Sequence, residues 1–113
     1  MVYIPDHGDI IHLKFDPQAG HEQKGKRPAL VVSNKTYNQF TNLAIVCPIT
    51  NTDRSFPLHV KLNKDTKTKG VIMCEQMKAL DVNARGITFY EKVPKVILEE
   101  VIDIFMGFIE FEP

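Results

Sequence analysis

From Asp16 to Pro28 the chain reads Asp-Pro-Gln-Ala-Gly-His-Glu-Gln-Lys-Gly-Lys-Arg-Pro, which gathers an imidazole (His21), a carboxylate (Glu22) and the cations Lys24, Lys26 and Arg27. These are the groups that breakage of an RNA phosphodiester needs. If the 2′-hydroxyl attacks the adjacent phosphate, one group must take its proton. Another must protonate the leaving 5′-oxygen, and cations must stabilise the charge on the phosphorane-like transition state. Glu22 and His21 are suited to proton transfer. Arg27 offers a planar fork that can hold two phosphate oxygens at once, which a lysine cannot do. The competing reading is a solvated connector, because Lys, Glu and Gly are common in exposed loops. The segment carries Pro17, Gly20 and Gly25 and almost nothing apolar, so it reads as a loop. It is long for a compact domain, and long loops of that kind tend to carry function.

The rest of the chain must position this loop. With 113 residues, 43% of them apolar and 25% charged, the chain is large enough for one domain with its own core and is not of a disordered composition. The 14 basic and 14 acidic residues cancel, so no whole-molecule field draws in a polyanion, and any nucleic-acid site must be local. Cys47 and Cys74 both lie in apolar runs and read as small buried hydrophobes, neither a disulfide framework nor a metal motif. No histidine and carboxylate spacing resembles a metal site. The N-terminus has no leader pattern and no apolar run approaches a membrane span, so a soluble, cytoplasmic protein is expected.

Gly8 to Phe15 reads as a short strand, and Pro28 to Ser33 as a buried one. Lys35 to Asn42 suits a single helical turn or an irregular connection. Leu43 to Thr50 is a strand in which Pro48 implies a sheet edge or a bulge. Pro57 to Leu62 alternates with period two, Gly70 to Cys74 is apolar, and Ile87 to Val93 forms the last strand. Asp81 to Arg85 reads as a helical or irregular turn closed by Gly86. Ile97, Val101, Ile104, Phe105 and Phe108 then recur at helical spacing opposite Glu99, Glu100 and Asp103. This pattern predicts an amphipathic helix from about Pro94 to Ile109, with Pro94 at its first position. The sum is five or six strands in a compact, strongly bent sheet or small barrel, capped by that helix: a mainly β (α+β) fold.

A series of motifs then acts together: Pro5-Asp6-His7-Gly8-Asp9; Gly20-His21-Glu22-Gln23 with Gly25, Arg27 and Pro28; Pro48-Ile49-Thr50; Gly70-Val71-Ile72 with Glu75-Gln76; and Asp81 with Ala84-Arg85-Gly86. In order and spacing this chain resembles the MazF/PemK family of toxin endoribonucleases over nearly its whole length. The resemblance implies a small SH3-like barrel of the CcdB and PemK kind with a C-terminal helix, residues 1–113 forming a single toxin domain. It implies a homodimer whose grooves bind single-stranded RNA, and ribosome-independent cleavage at short motifs. The expected products end in a 2′,3′-cyclic phosphate and a 5′-hydroxyl, with no cofactor and no metal. It further implies a type II toxin–antitoxin partner, an antitoxin whose disordered C-terminal tail fills the RNA groove.

Carried over residue by residue, the resemblance gives Arg27 phosphate binding and transition-state stabilisation. Glu22 becomes a candidate base or the group that orients Arg27, Thr50 a hydrogen-bond donor to the scissile phosphate, and His21 a further transition-state contact. Lys24, Lys26, Gln23, Gln76 and Glu75 are expected to hold substrate, with proton transfer falling to the Gly20 to Pro28 loop. Glu75 matches the acid that the PemK-like branch uses as a base. That branch has an arginine two residues earlier, where this chain has Met73, so its acid and arginine pair is absent and Arg27 must carry the cationic work. His12 and His59 read as surface or packing residues, and His7 as a turn residue near the loop. The alternative from another class is a barrel toxin that binds a protein such as DNA gyrase through its C-terminal helix. An inert SH3-like interaction module would leave Gly20 to Pro28 unexplained.

Overall fold

The computed structural model describes residues 2–14, 26–83 and 86–113. Seven strands form one bent sheet in the order β4-β5-β3-β2-β1-β7, with β6 also paired to β3. They are β1 (Asp9–Leu13), β2 (Arg27–Val31), β3 (Leu43–Thr50), β4 (His59–Lys61), β5 (Val71–Met73), β6 (Lys78–Asp81) and β7 (Thr88–Lys92). Every pairing is antiparallel. The helices are α1 (Lys35–Thr41) and the C-terminal α2 (Lys95–Ile109), and a 3₁₀ turn, Cys74–Gln76, follows β5.

The mainly β architecture and the C-terminal helix match the sequence reading, with differences in detail. Pro94 caps α2 from outside rather than forming its first residue. Lys35–Thr41 is about two turns of helix rather than one. It starts cleanly because the Asn34 side chain accepts from the Tyr37 amide at 2.9 Å, and stops because Asn42 takes a left-handed conformation at φ 62°. Inside it, Asn38 is buried and donates to the carbonyls of Pro5 and Ser33 at 2.8 and 3.0 Å, which ties the helix to the N-terminal segment.

Pro48 marks neither an edge nor the end of β3. The strand is central, with β2 along one side. Along its other side Leu43 to Val46 pair with β6, and Ile49 and Thr50 pair with β5. Pro48 falls in the gap where β3 changes partners, so its missing N–H breaks no ladder there. β6, which the sequence reading did not include, occupies the segment just ahead of the anticipated turn at Asp81.

Period two distributes the apolar residues to two cores. Ile10, Leu30, Cys47, Ile49, Val60, Ile72 and Cys74 pack with Val93, Ile97, Leu98 and Val101, closing the sheet against α2. Ile11, Leu13, Ala29, Val31, Ala44, Val46 and Leu80 form the second, on the opposite face of β1, β2 and β3. Side chains of this size each contribute about 1.5–3 kcal/mol when fully buried. Cys47 and Cys74 are free and buried in the first core. The Cys74 thiol beside it, together with burial, pushes the Cys47 thiol above its ordinary range, so it stays protonated.

Candidate active site

The site begins with the register of β3, β4 and β5. Ile49 pairs with Ile72 and Ile72 with Val60, and all three face the core. Their neighbours must then face the other way. Thr50 pairs with Val71, and His59 with Met73, so Thr50, Met73 and His59 share the outer face. There a cleft of about 420 Å³ opens, lined by Thr50, Thr52, Arg54, Phe56, His59, Met73, Glu75 and Gln76.

Gly70 permits this arrangement. It holds φ +116°, and a Cβ built on it would stand 2.2 Å from the Thr50 carbonyl oxygen. Only glycine lets the chain entering β5 approach Thr50 so closely. The 3₁₀ turn after β5 then swings Glu75 and Gln76 to the cleft rim, and the Cys74 amide fastens the turn to β4 through the Leu58 carbonyl at 3.3 Å.

Arg27 reaches the same end of the sheet from β2. The β2–β3 ladder pairs Val31 with Val46, Leu30 with Cys47 and Ala29 with Pro48. Carried two residues further, that register sets exposed Arg27 opposite Thr50. Lys26 goes elsewhere: its Nζ donates to Thr88 Oγ1 of β7 at 2.7 Å. His21, Glu22, Gln23 and Lys24 lie outside the described residues, as do Ala84 and Arg85.

Thr50, Glu75 and Gln76 are thus brought together, with Arg27 at the adjoining strand end. His59 joins them unexpectedly. The reading of an outward strand residue was right about the face, but that face is roofed, and the His59 side chain is only 7% exposed. Its Nε2 lies 3.1 Å from Glu75 Oε2, and the Phe56 ring meets it edge-on at 5.1 Å. Its Nδ1 is buried and has no hydrogen-bond partner among the described residues. The signal for this residue was the cross-strand pairing of His59 with Met73, which no local pattern encodes. His12, by contrast, stacks on Tyr90 at 4.6 Å, a packing role as expected. His7 is exposed at the turn before β1.

A second, larger cleft of about 590 Å³ is lined by Tyr3, Asp6, Asp9, Lys35, Phe89 and Lys92 among others. Its central carboxylate is saturated. Asp9 Oδ1 takes Lys92 Nζ at 2.8 Å, and Oδ2 takes the Asp6 amide at 3.0 Å and the Tyr3 hydroxyl. Burial first, and then the bond to Asp9, raise the Tyr3 phenol above its usual range, so it remains a donor. Among the described residues no helix is long and apolar enough to cross a membrane.

Comparison with known proteins gives these clefts a context. The family profile of PemK-like, MazF-like toxins of type II toxin–antitoxin systems matches residues 6–108. The chain is similar to endoribonuclease PemK of Escherichia coli, 39% identical over 101 residues that cover 86% of this chain and 76% of that protein. It is 40% identical over 86 residues to endoribonuclease toxin MazF of Escherichia coli strain K12, covering 76% of this chain and 77% of that one. Its fold is that of MazF structures. A MazE–MazF crystal structure (Form-II) from Deinococcus radiodurans superposes with a TM-score of 0.87 at 36% identity, over 95% of this chain and 96% of that one.

Proposed function

We propose that this chain, which belongs to the PemK-like, MazF-like toxins of type II toxin–antitoxin systems and is an endoribonuclease, cuts single-stranded RNA without a metal at the cleft between Thr50 and Glu75. The observation that carries the reading is convergence. A hydroxyl, a carboxylate and an amide line one cleft, and the β2–β3 register, carried two residues on, puts Arg27 at the strand end next to Thr50.

Arg27 binds the scissile phosphate and stabilises the charge that builds on it, and Thr50 donates a hydrogen bond to the same group. Glu75 takes the 2′-hydroxyl proton, and Gln76 holds the neighbouring nucleotide. Glu22 orients Arg27, while His21, Gln23 and Lys24 complete the site from the loop that leads into β2. The attack expels the 5′-oxygen, which takes a proton from His21 and departs as a hydroxyl, and leaves a 2′,3′-cyclic phosphate. The whole chain, 1–113, acts as a single toxin domain in the cytoplasm, as a homodimer. A cognate antitoxin holds it in check by laying its disordered C-terminal tail along the RNA groove, and the MazE–MazF complexes to which this chain is similar support such a partner.

The test is chemical. Purified protein should cut a long single-stranded RNA in EDTA, and the upstream fragments should resist 3′-end ligation until the cyclic phosphate is opened. A requirement for added divalent metal, or fragments with a free 3′-hydroxyl, would contradict the mechanism. Primer extension over the same RNA maps the cleavage motif.

A further inference from the structure

The ring of His59 is nearly buried, and one of its nitrogens is left without a partner among the described residues. Glu75 Oε2 takes Nε2 at 3.1 Å and Phe56 packs edge-on, while Nδ1 is buried with no hydrogen-bond partner among the described residues. Nearly all buried polar atoms find partners, and one that does not is a cost that packing alone would not retain, since a leucine of similar volume would fill the space without it. A carboxylate oxygen accepts, so the ring donates to Oε2 through Nε2. The one hydrogen bond of this ring among the described residues is to Glu75.

We propose that His59 is a positioning residue of the RNA-cleaving site: its Nε2–H fixes Oε2 of Glu75 so that the other carboxylate oxygen, Oε1, is presented to the substrate in the cleft beside Thr50. This rests on the assignment of Glu75 as the base. An exposed glutamate on a short turn has several rotamers, and catalysis needs one of them. Tethering one oxygen to a rigid, buried ring on the neighbouring strand removes that freedom without consuming the second oxygen. Other charged groups line the same clefts as the ring. Asp53 and Arg54 lie on the loop before β4, Lys61 stands on the same strand face and pairs with Asp53 at 3.2 Å, and Glu100 of α2 lines the neighbouring groove with His59. Among these, Glu75 alone is hydrogen-bonded to the ring among the described residues.

The experiment is a double-mutant cycle on single-turnover cleavage, with melting temperatures recorded for each protein. His59→Leu should lower the rate about tenfold, the factor that the loss of one coupling between neighbouring groups produces. It should leave the apparent affinity for RNA and the melting temperature unchanged. His59→Gln, which can still donate to Oε2, should restore most of the rate. In a Glu75→Gln background His59→Leu should have no further effect. A tenfold loss from His59→Leu in both backgrounds, or a lowered melting temperature that accounts for the loss, would overturn the inference while leaving Glu75 as the base. Full activity in Glu75→Gln would instead remove the base assignment itself, and this inference with it.

Discussion

Two carboxylates sit in clefts at different parts of the sheet, and they are treated in opposite ways. Asp9 is buried and both of its oxygens are engaged: Lys92, Tyr3 and the Asp6 amide surround it. Glu75 is partly exposed, is held through one oxygen, and is held by a ring whose other nitrogen has no hydrogen-bond partner among the described residues. A saturated cluster locks the N-terminal segment onto β1 and β7. An unsaturated one leaves bonding capacity for something that arrives later. The larger cavity is therefore not the better candidate site, because size does not measure unspent hydrogen-bonding capacity.

The comparison can be broken most severely at Gly70. Gly70→Ala forces a Cβ against the Thr50 carbonyl at a backbone angle that L residues rarely adopt, so both the fold of the β3–β5 end and RNA cleavage should be lost. A soluble, active Gly70→Ala protein would show that the close approach does not define the cleft. Next comes the saturated cluster. Asp9→Ala should cost about 3 kcal/mol in denaturant unfolding, because it strips the partner from buried donors, while cleavage per folded molecule stays near wild type. A larger loss of cleavage than of stability would place catalysis at the wrong carboxylate.

Lys92→Met should be milder than Asp9→Ala, within about 1 kcal/mol, because the lysine is half exposed and its contribution is screened. A penalty equal to that of Asp9→Ala would mean the ion pair, rather than the hydroxyl and amide donors, holds Asp9. The smallest effect concerns Glu91, which accepts from the Lys67 amide at 3.0 Å and from the Thr68 amide and hydroxyl at 2.7 Å each. Burial alone would raise its carboxyl, but the Thr68 and Lys67 hydrogen bonds outweigh that and hold it below the ordinary range. A depressed folded value means stability that is present above the unfolded value of about 4.3 and lost as pH falls through the folded one. Unfolding followed from pH 6 downward should therefore show a shallower loss in Glu91→Gln than in wild type, and equal slopes would refute the assignment.

Much of this was legible in the residues. Alternation along Pro57 to Leu62 and the helical stripe from Ile97 to Phe108 report burial, and burial decides strands and helices of that strength. Pro48 misled because a proline reports a missing donor, not whether the sheet needs a donor there, and here β3 changes partners at that point. Lys78-Ala79-Leu80-Asp81 escaped notice because a four-residue strand with one buried residue has no periodicity to read. The motif residues Arg27, Thr50, Glu75 and Gln76 were named from their order in the chain, whereas their meeting depends on registers between strands distant in sequence. His59 was missed for the same reason: alternation says which face a side chain leaves by, and only the register with Met73 and the turn that follows says what covers that face.

The central claim is that chemistry resides at the Thr50 end of the sheet, with Arg27 as its cation. The most direct measurement is the single-turnover rate of Arg27→Ala on an end-labelled single-stranded RNA, with circular dichroism and melting temperature confirming an intact fold. The account predicts a fall of roughly 10²–10³-fold, the scale of removing one preorganised transition-state donor, with little change in stability. Cleavage at the wild-type rate by folded Arg27→Ala would contradict it.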